Sequence, residues 1–221
     1  MQKVKLKDFN NLAKTLSLNF YHFCYAEQTN VLEDFIRRRN SCYAAEPLKR
    51  MMREVADAIG AVVLNTSVQD YLPYGASAAV LVAEHPLDAA MHLDKSHLTV
   101  HTYPEICSEK HMASFRLDME VSTCGCLLPC SVLEFLMERI RPDLAWVDYR
   151  VRGFTRDEQG AICLADGLPE SARDLLSEKT AGLYEKKVIA APELSYFHMK
   201  LKRKDNGMSA ELLRELSLMF Q

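Results

Sequence analysis

The chain has 221 residues, 48% of them hydrophobic and 26% charged, with a formal net charge of −3. That length can bury a real core in one domain or two small ones, and the balance is that of an ordinary globular protein. Its Lys and Arg are spread along the sequence, so no concentrated basic face for nucleic acid is expected. The short run Leu201–Lys204 (LKRK) reads as a solvated turn or helix flank. No apolar run approaches the roughly 20 residues of a membrane helix. The N-terminal MQKVKLK has no apolar stretch after its lysines, so no secretory leader is expected and the protein should be cytoplasmic. An odd number of cysteines, seven, argues against a disulfide framework there and for small buried hydrophobes.

In chain order, residues 47–60 predict a helix. Leu48, Met51, Met52, Val55 and Ile59 share a face, Pro47 suits the first turn and Gly60 suits the stop. Residues 61–68 and 78–84 read as buried strands around a turn with Pro73 and Gly75. Residues 97–103 alternate, with His97, Thr99 and His101 opposite Leu98 and Val100. Residues 115–122 alternate more cleanly, with Phe115, Leu117, Met119 and Val121 on one side. A helix is predicted at about 130–140 after Pro129, a strand at 145–152, and helices near 169–185 and 209–219. Half-buried strands with amphipathic helices predict an α+β fold: a two-layer sandwich of a mainly antiparallel sheet covered by helices on one face.

The stretch from 92 to 130 holds the chemistry-bearing residues. Cys124, Cys126 and Cys130, with Cys107 or a nearby His, are soft metal ligands. Their C-x-C-x3-C spacing lacks the C-x2-C knuckle, however, and no metal site is expected. A Ser or Cys hydrolase would need a nucleophile on a strained turn, and no G-x-S-x-G elbow surrounds Ser96. Taken singly, Ser96 reads as a turn residue, His101 as a structural His and Cys124 as an inert buried thiol.

Taken together they follow one pattern. K-S-H-L-T-V-H-T-Y-P-E at 95–105 resembles the self-processing site of bacterial S-adenosylmethionine decarboxylases, and S-T-C-G at 122–125 resembles their catalytic cysteine motif. F-N-N-L-A-K-T-L-S at 9–17, C-Y-A at 24–26, Q-D-Y-L-P-Y-G-A-S at 69–77 and D-Y-R-V-R-G-F-T-R-D at 148–157 continue the resemblance, which is best to the longer, proteobacterial type. The chain departs from that type in lacking a stretch before the processing site, in a shorter C-terminal region, and in having Cys126 and Cys130.

The resemblance implies a single-domain proenzyme, residues 1–221, that cuts itself between Lys95 and Ser96 into a 1–95 β chain and a 96–221 α chain. Decarboxylation at an α-carbon needs an electron sink that no ordinary side chain provides. The resemblance supplies one as a pyruvoyl group derived from Ser96, with which the substrate amine forms a Schiff base. His101 is then the base that removes the α-proton of Ser96 during processing. Cys124 is the proton donor in turnover, and Glu105 holds the substrate ribose hydroxyls. The implied substrate is S-adenosylmethionine, feeding spermidine synthesis, with magnesium as an activator, no nucleic-acid or membrane partner, and a homo-oligomer of cleaved protomers packed sheet to sheet. Arginine or ornithine decarboxylases on the same fold would share the processing motif. A non-catalytic regulatory paralogue would be expected to have lost Ser96 or Cys124.

Overall fold

The computed structural model describes residues 12–84, 96–124, 127–156, 159, 161–163, 169, 171–204 and 208–221. In chain order these form β1 (Ala13–Tyr25), α1 (Thr29–Cys42), α2 (Ala45–Ile59), β2 (Val62–Asp70), β3 (Ala76–Ala83), β4 (His97–Cys107), β5 (Met112–Cys124), α3 (Leu133–Ile140) and β6 (Leu144–Arg152). There follow the short pair β7 (Thr155–Arg156) and β8 (Ile162–Cys163), then α4 (Glu178–Gly182), β9 (Tyr184–Ala191), β10 (Tyr196–Arg203) and α5 (Ala210–Phe220).

Eight strands make one antiparallel sheet in the order β2-β3-β4-β5-β1-β6-β10-β9. The expected α+β architecture is therefore the observed one. The period-2 patterns set the two faces. Leu16, Leu18 and Phe20 of β1, Leu98 and Val100 of β4, and Phe115, Leu117, Met119 and Val121 of β5 all point into one core. Helix α2 covers that face with the predicted residues Leu48, Met51, Met52, Val55 and Ile59, and α1 adds Leu32 and Ile36. Gly60 caps α2 in the left-handed region at φ 76°, where a side chain would be strained. Phe115 has no exposed surface, so Phe115→Ala should cost about 3–5 kcal/mol. Urea unfolding of the variant against wild type measures this, and an unchanged midpoint would contradict the packing.

The opposite face carries Thr15, Ser17, His97, Thr99, His101, Asp118, Glu120, Asp148 and Arg150, and is polar. At one end α5 seals it, packing Leu212, Leu216 and Phe220 on Phe23, Leu144, Tyr21 and Trp146.

Three expectations are corrected. Residues 169–185 are not one helix: a short 3-10 turn and five-residue α4 lead into β9. The edge strand β9 is mostly exposed, so its apolar pattern is weak. The LKRK run is no turn, since Leu201–Arg203 ends β10 in the sheet. The predicted strand at 97–103 continues to Cys107.

Candidate active site

Antiparallel pairing of β4 with β5 sets His97 opposite Ser122. That register brings the residue just before β4, Ser96, to the last residue of β5, Cys124. Ser96 Oγ lies 3.3 Å from Cys124 Sγ, and the Cys124 backbone N–H donates to the same oxygen at 3.3 Å. The Ser96 carbonyl accepts from the Val82 N–H at 3.2 Å, so β3 fixes the backbone of Ser96 while β5 fixes its hydroxyl. Ser96 is 3% exposed. The Ser96 hydroxyl is thus buried, oriented by a backbone N–H and in contact with a thiol.

The surroundings are also ordered. Thr123 Oγ1 donates to the Leu127 carbonyl at 3.2 Å, and Thr15 and Ser122 share a hydroxyl–hydroxyl bond at 3.1 Å. On the polar face, His97 Nε2 and Glu120 Oε1 are 3.2 Å apart. Beside Glu120, a cavity of about 460 Å³ is lined by Thr15, Ser17, Asp148, Arg150, Arg152 and Tyr196. The hydroxyl of Tyr196 donates to Asp148 in a short contact, and His198 Nδ1 lies 2.8 Å from the same carboxylate. Burial, with the Asp148 bond and charge, pushes the Tyr196 phenol up to about 12, so it stays protonated. The sequence reading missed Glu120, Asp148, Tyr196 and His198. Each sits at the polar phase of an alternating strand, but nothing local marks them as neighbours.

His101 and Glu105 do not join Ser96 within the chain. They lie five and nine residues along β4, about 16 Å and 30 Å away at an ordinary strand rise. Both are exposed on the polar face, with His101 opposite Asp118 and Glu105 opposite Ser114. Cys107 is at the far end of the β4–β5 hairpin from Cys124, so those two cannot share an ion. Cys130 packs against the core, and burial pushes its thiol up. Lys95 and Cys126 lie outside the described residues.

The family model for S-adenosylmethionine decarboxylase matches residues 29–153, which include both Ser96 and Cys124. The chain belongs to the S-adenosylmethionine decarboxylase family. Relatives of this decarboxylase span nearly its whole length. The S-adenosylmethionine decarboxylase proenzyme of Pseudomonas syringae is 40% identical over 235 residues, 97% of this chain and 89% of that protein. The proenzyme of Pseudomonas aeruginosa is 41% identical with the same coverage. That of Clostridium perfringens is 40% identical over 94% of this chain and 84% of its own. A solved adenosylmethionine decarboxylase from Aquifex aeolicus superposes loosely, at TM-score 0.39 and 13% identity, over 76% of this chain and all of that one. Ser96 fits the serine-derived prosthetic group that the resemblance implies: it is buried, oriented, and in contact with the Cys124 thiol.

Proposed function

We propose that this chain is a self-processing S-adenosylmethionine decarboxylase that cuts itself before Ser96 and makes the aminopropyl donor for spermidine synthesis. The contact that supports this most directly is the 3.3 Å approach of the Ser96 hydroxyl to the Cys124 thiol. In processing, Ser96 Oγ attacks the carbonyl of Lys95, and the peptide becomes an ester. Loss of the α-proton of Ser96 expels the Lys95 carboxylate by β-elimination. The dehydroalanine left at the new N-terminus takes up water, releases ammonia and becomes the pyruvoyl group. Burial of Ser96 keeps bulk water from competing with its hydroxyl for Lys95. The pyruvoyl group, once formed, supplies the ketone that draws off the electrons released with carbon dioxide. We assign the return of a proton to the substrate α-carbon to the S–H of Cys124, which lies 3.3 Å from the Ser96 oxygen. Magnesium activation is part of the reading. We attach no residue to it, since no three His, Cys, Asp or Glu side chains among the described residues cluster closely enough to hold an ion.

The 16 Å along β4 is too far for His101 to take the Ser96 α-proton in its own chain, because proton transfer needs hydrogen-bond reach. The polar, exposed sheet face offers the alternative. Two copies packed face to face and antiparallel would set the His101 and Glu105 of one over the Ser96–Cys124 end of the other. The active unit is then a dimer or a multiple of one, with composite sites. Two tests follow. Purified protein should release carbon dioxide from S-adenosylmethionine and not from arginine or ornithine; release from either amino acid alone would reassign the substrate. Separately, Ser96→Ala and His101→Ala should each stay uncut when expressed alone. When they are co-expressed, the His101→Ala chain should be cleaved, because its partner supplies the imidazole. No cleavage in the mixture, with assembled oligomers confirmed by native mass, would rule out sharing between chains.

A further inference from the structure

On the helix-covered face, toward the end of β1 distant from Cys124, α1, α3, α4 and the end of β10 enclose a cavity of about 960 Å³. Arg39, Arg139, Arg141, Lys179, Arg203 and Lys204 line it, against a single carboxylate, Glu138, among the described residues. Three of these cations are matched. Arg139 pairs with Glu54 in a short contact, Lys179 lies 3.6 Å from Glu138, and Arg203 lies 3.3 Å from Asp143. The other three form no ion pair among the described residues, although Arg39 still feels the Asp143 charge that Arg203 pairs with. Lys204 Nζ donates to the Gly182 carbonyl at 2.7 Å and Arg141 Nε to the Glu138 carbonyl at 3.1 Å, while the Arg39 guanidinium lies 5.7 Å from the Phe35 ring. Unmatched like charges in one concavity focus a positive potential into it. The LKRK run thus has a role that its length did not suggest: its last two residues, Arg203 and Lys204, both face this cavity.

A second, independent feature is His22, on the core side of β1. It lines the same cavity, is 1% exposed, and its Nε2 has no hydrogen-bond partner among the described residues. Buried polar atoms almost always find one, so an unpaired nitrogen beside a cavity points to a missing guest. Burial first, then the Arg39 and Arg203 charges, push the imidazole down to about 3. The ring is therefore neutral at physiological pH and can offer one N–H to an acceptor.

The volume is that of a small-molecule site, and Met137, Ile140 and Tyr43 give it an apolar part. S-adenosylmethionine carries a sulfonium and an ammonium against one carboxylate, and its decarboxylated product and polyamines are more cationic still. A basic cavity repels all of them. Guanidinium forks and an ammonium group together are the donors that phosphate oxygens take best. We propose that this cavity binds a small molecule bearing two or more phosphate groups, held by Arg39, Arg141 and Lys204 with His22 beside it. The site is separate from the catalytic one. His22 lies nine positions from Ala13, the β1 partner of Cys124, or about 30 Å along the strand. The inference does not rest on the reaction proposed above, because binding is read without turnover.

Calorimetric titration of the full-length protein with sodium triphosphate, and in parallel with adenosine triphosphate, at fixed ionic strength, is the test. Saturable binding of either is expected, with equal affinities if only the phosphate chain is read and tighter nucleotide binding if the apolar part contributes. Arg39→Gln with Lys204→Gln should weaken it at least tenfold, and the His22 imidazole NMR signals should shift on titration. Lys204→Gln alone, at an exposed residue, is a weakening variant that does not threaten the fold. No saturable binding of either ligand, affinity unchanged in the variants, or an unmoved His22 signal at saturation would overturn the proposal.

Discussion

Ser96→Ala is expected to remain one uncut chain of 221 residues and to release no carbon dioxide above background. Wild-type protein should instead separate into chains of 95 and 126 residues, with the larger one blocked at its N-terminus. Alanine has no oxygen to attack Lys95, so the ester never forms and the prosthetic group is never made. The substitution also deprives the Cys124 N–H and thiol of their partner. Losing a hydrogen bond of this kind costs about 1–3 kcal/mol, too little to unfold a domain with so extensive a core. Intact mass and circular dichroism on the same sample separate failure to process from failure to fold. Wild-type protein that turns over substrate while showing a single uncut mass would end the pyruvoyl reading.

Cys124→Ala should lose roughly 100- to 10,000-fold in turnover, the usual contribution of a positioned proton donor. Processing should survive in part, since the attack of Ser96 on Lys95 needs no thiol, though more slowly because one of the contacts orienting the hydroxyl is gone. Without the donor, protonation at the wrong carbon leaves the substrate nitrogen on the enzyme, and the α chain then begins with alanine. N-terminal mass after prolonged turnover reads this directly. Cys130→Ala is the control: that residue is partly buried and packs against the core, so its loss should lower stability and leave the turnover per folded molecule near wild type. Cys126→Ala, by the same expectation, should retain activity. If Cys126→Ala or Cys130→Ala were dead and Cys124→Ala active, the thiol would have been misassigned.

Much of this protein can be read along its sequence. Alternation at 97–103 and 115–122 made two strands with one polar face each, and the apolar stripe of residues 47–60 made α2, because periodicity is a local property that one buried face imposes. The run at 95–105 and the S-T-C-G at 122–125 marked Ser96 and Cys124 by resemblance. β1 was legible in principle, since Leu16, Leu18 and Phe20 alternate with polar residues, whereas α1 buries only Leu32 and Ile36 and β9 is an exposed edge, so both carry weak patterns. What only the tertiary structure decided is register and sheet order. Pairing His97 with Ser122 carries Ser96 to Cys124 across 28 residues, and a slip of one position would turn every side chain of the strand to the wrong face. Placing β1 between β5 and β6, with β10 beside β6, built the cavity around Glu120 and Asp148 from four distant segments. The same long straight strand that brings Ser96 to its thiol carries His101 away from it, because strand residues separate by about 3.3 Å each. Motif spacing lists the residues of a site; it does not say which of them one chain can bring together, since that depends on non-local hydrogen bonds between backbones that no short stretch of sequence encodes.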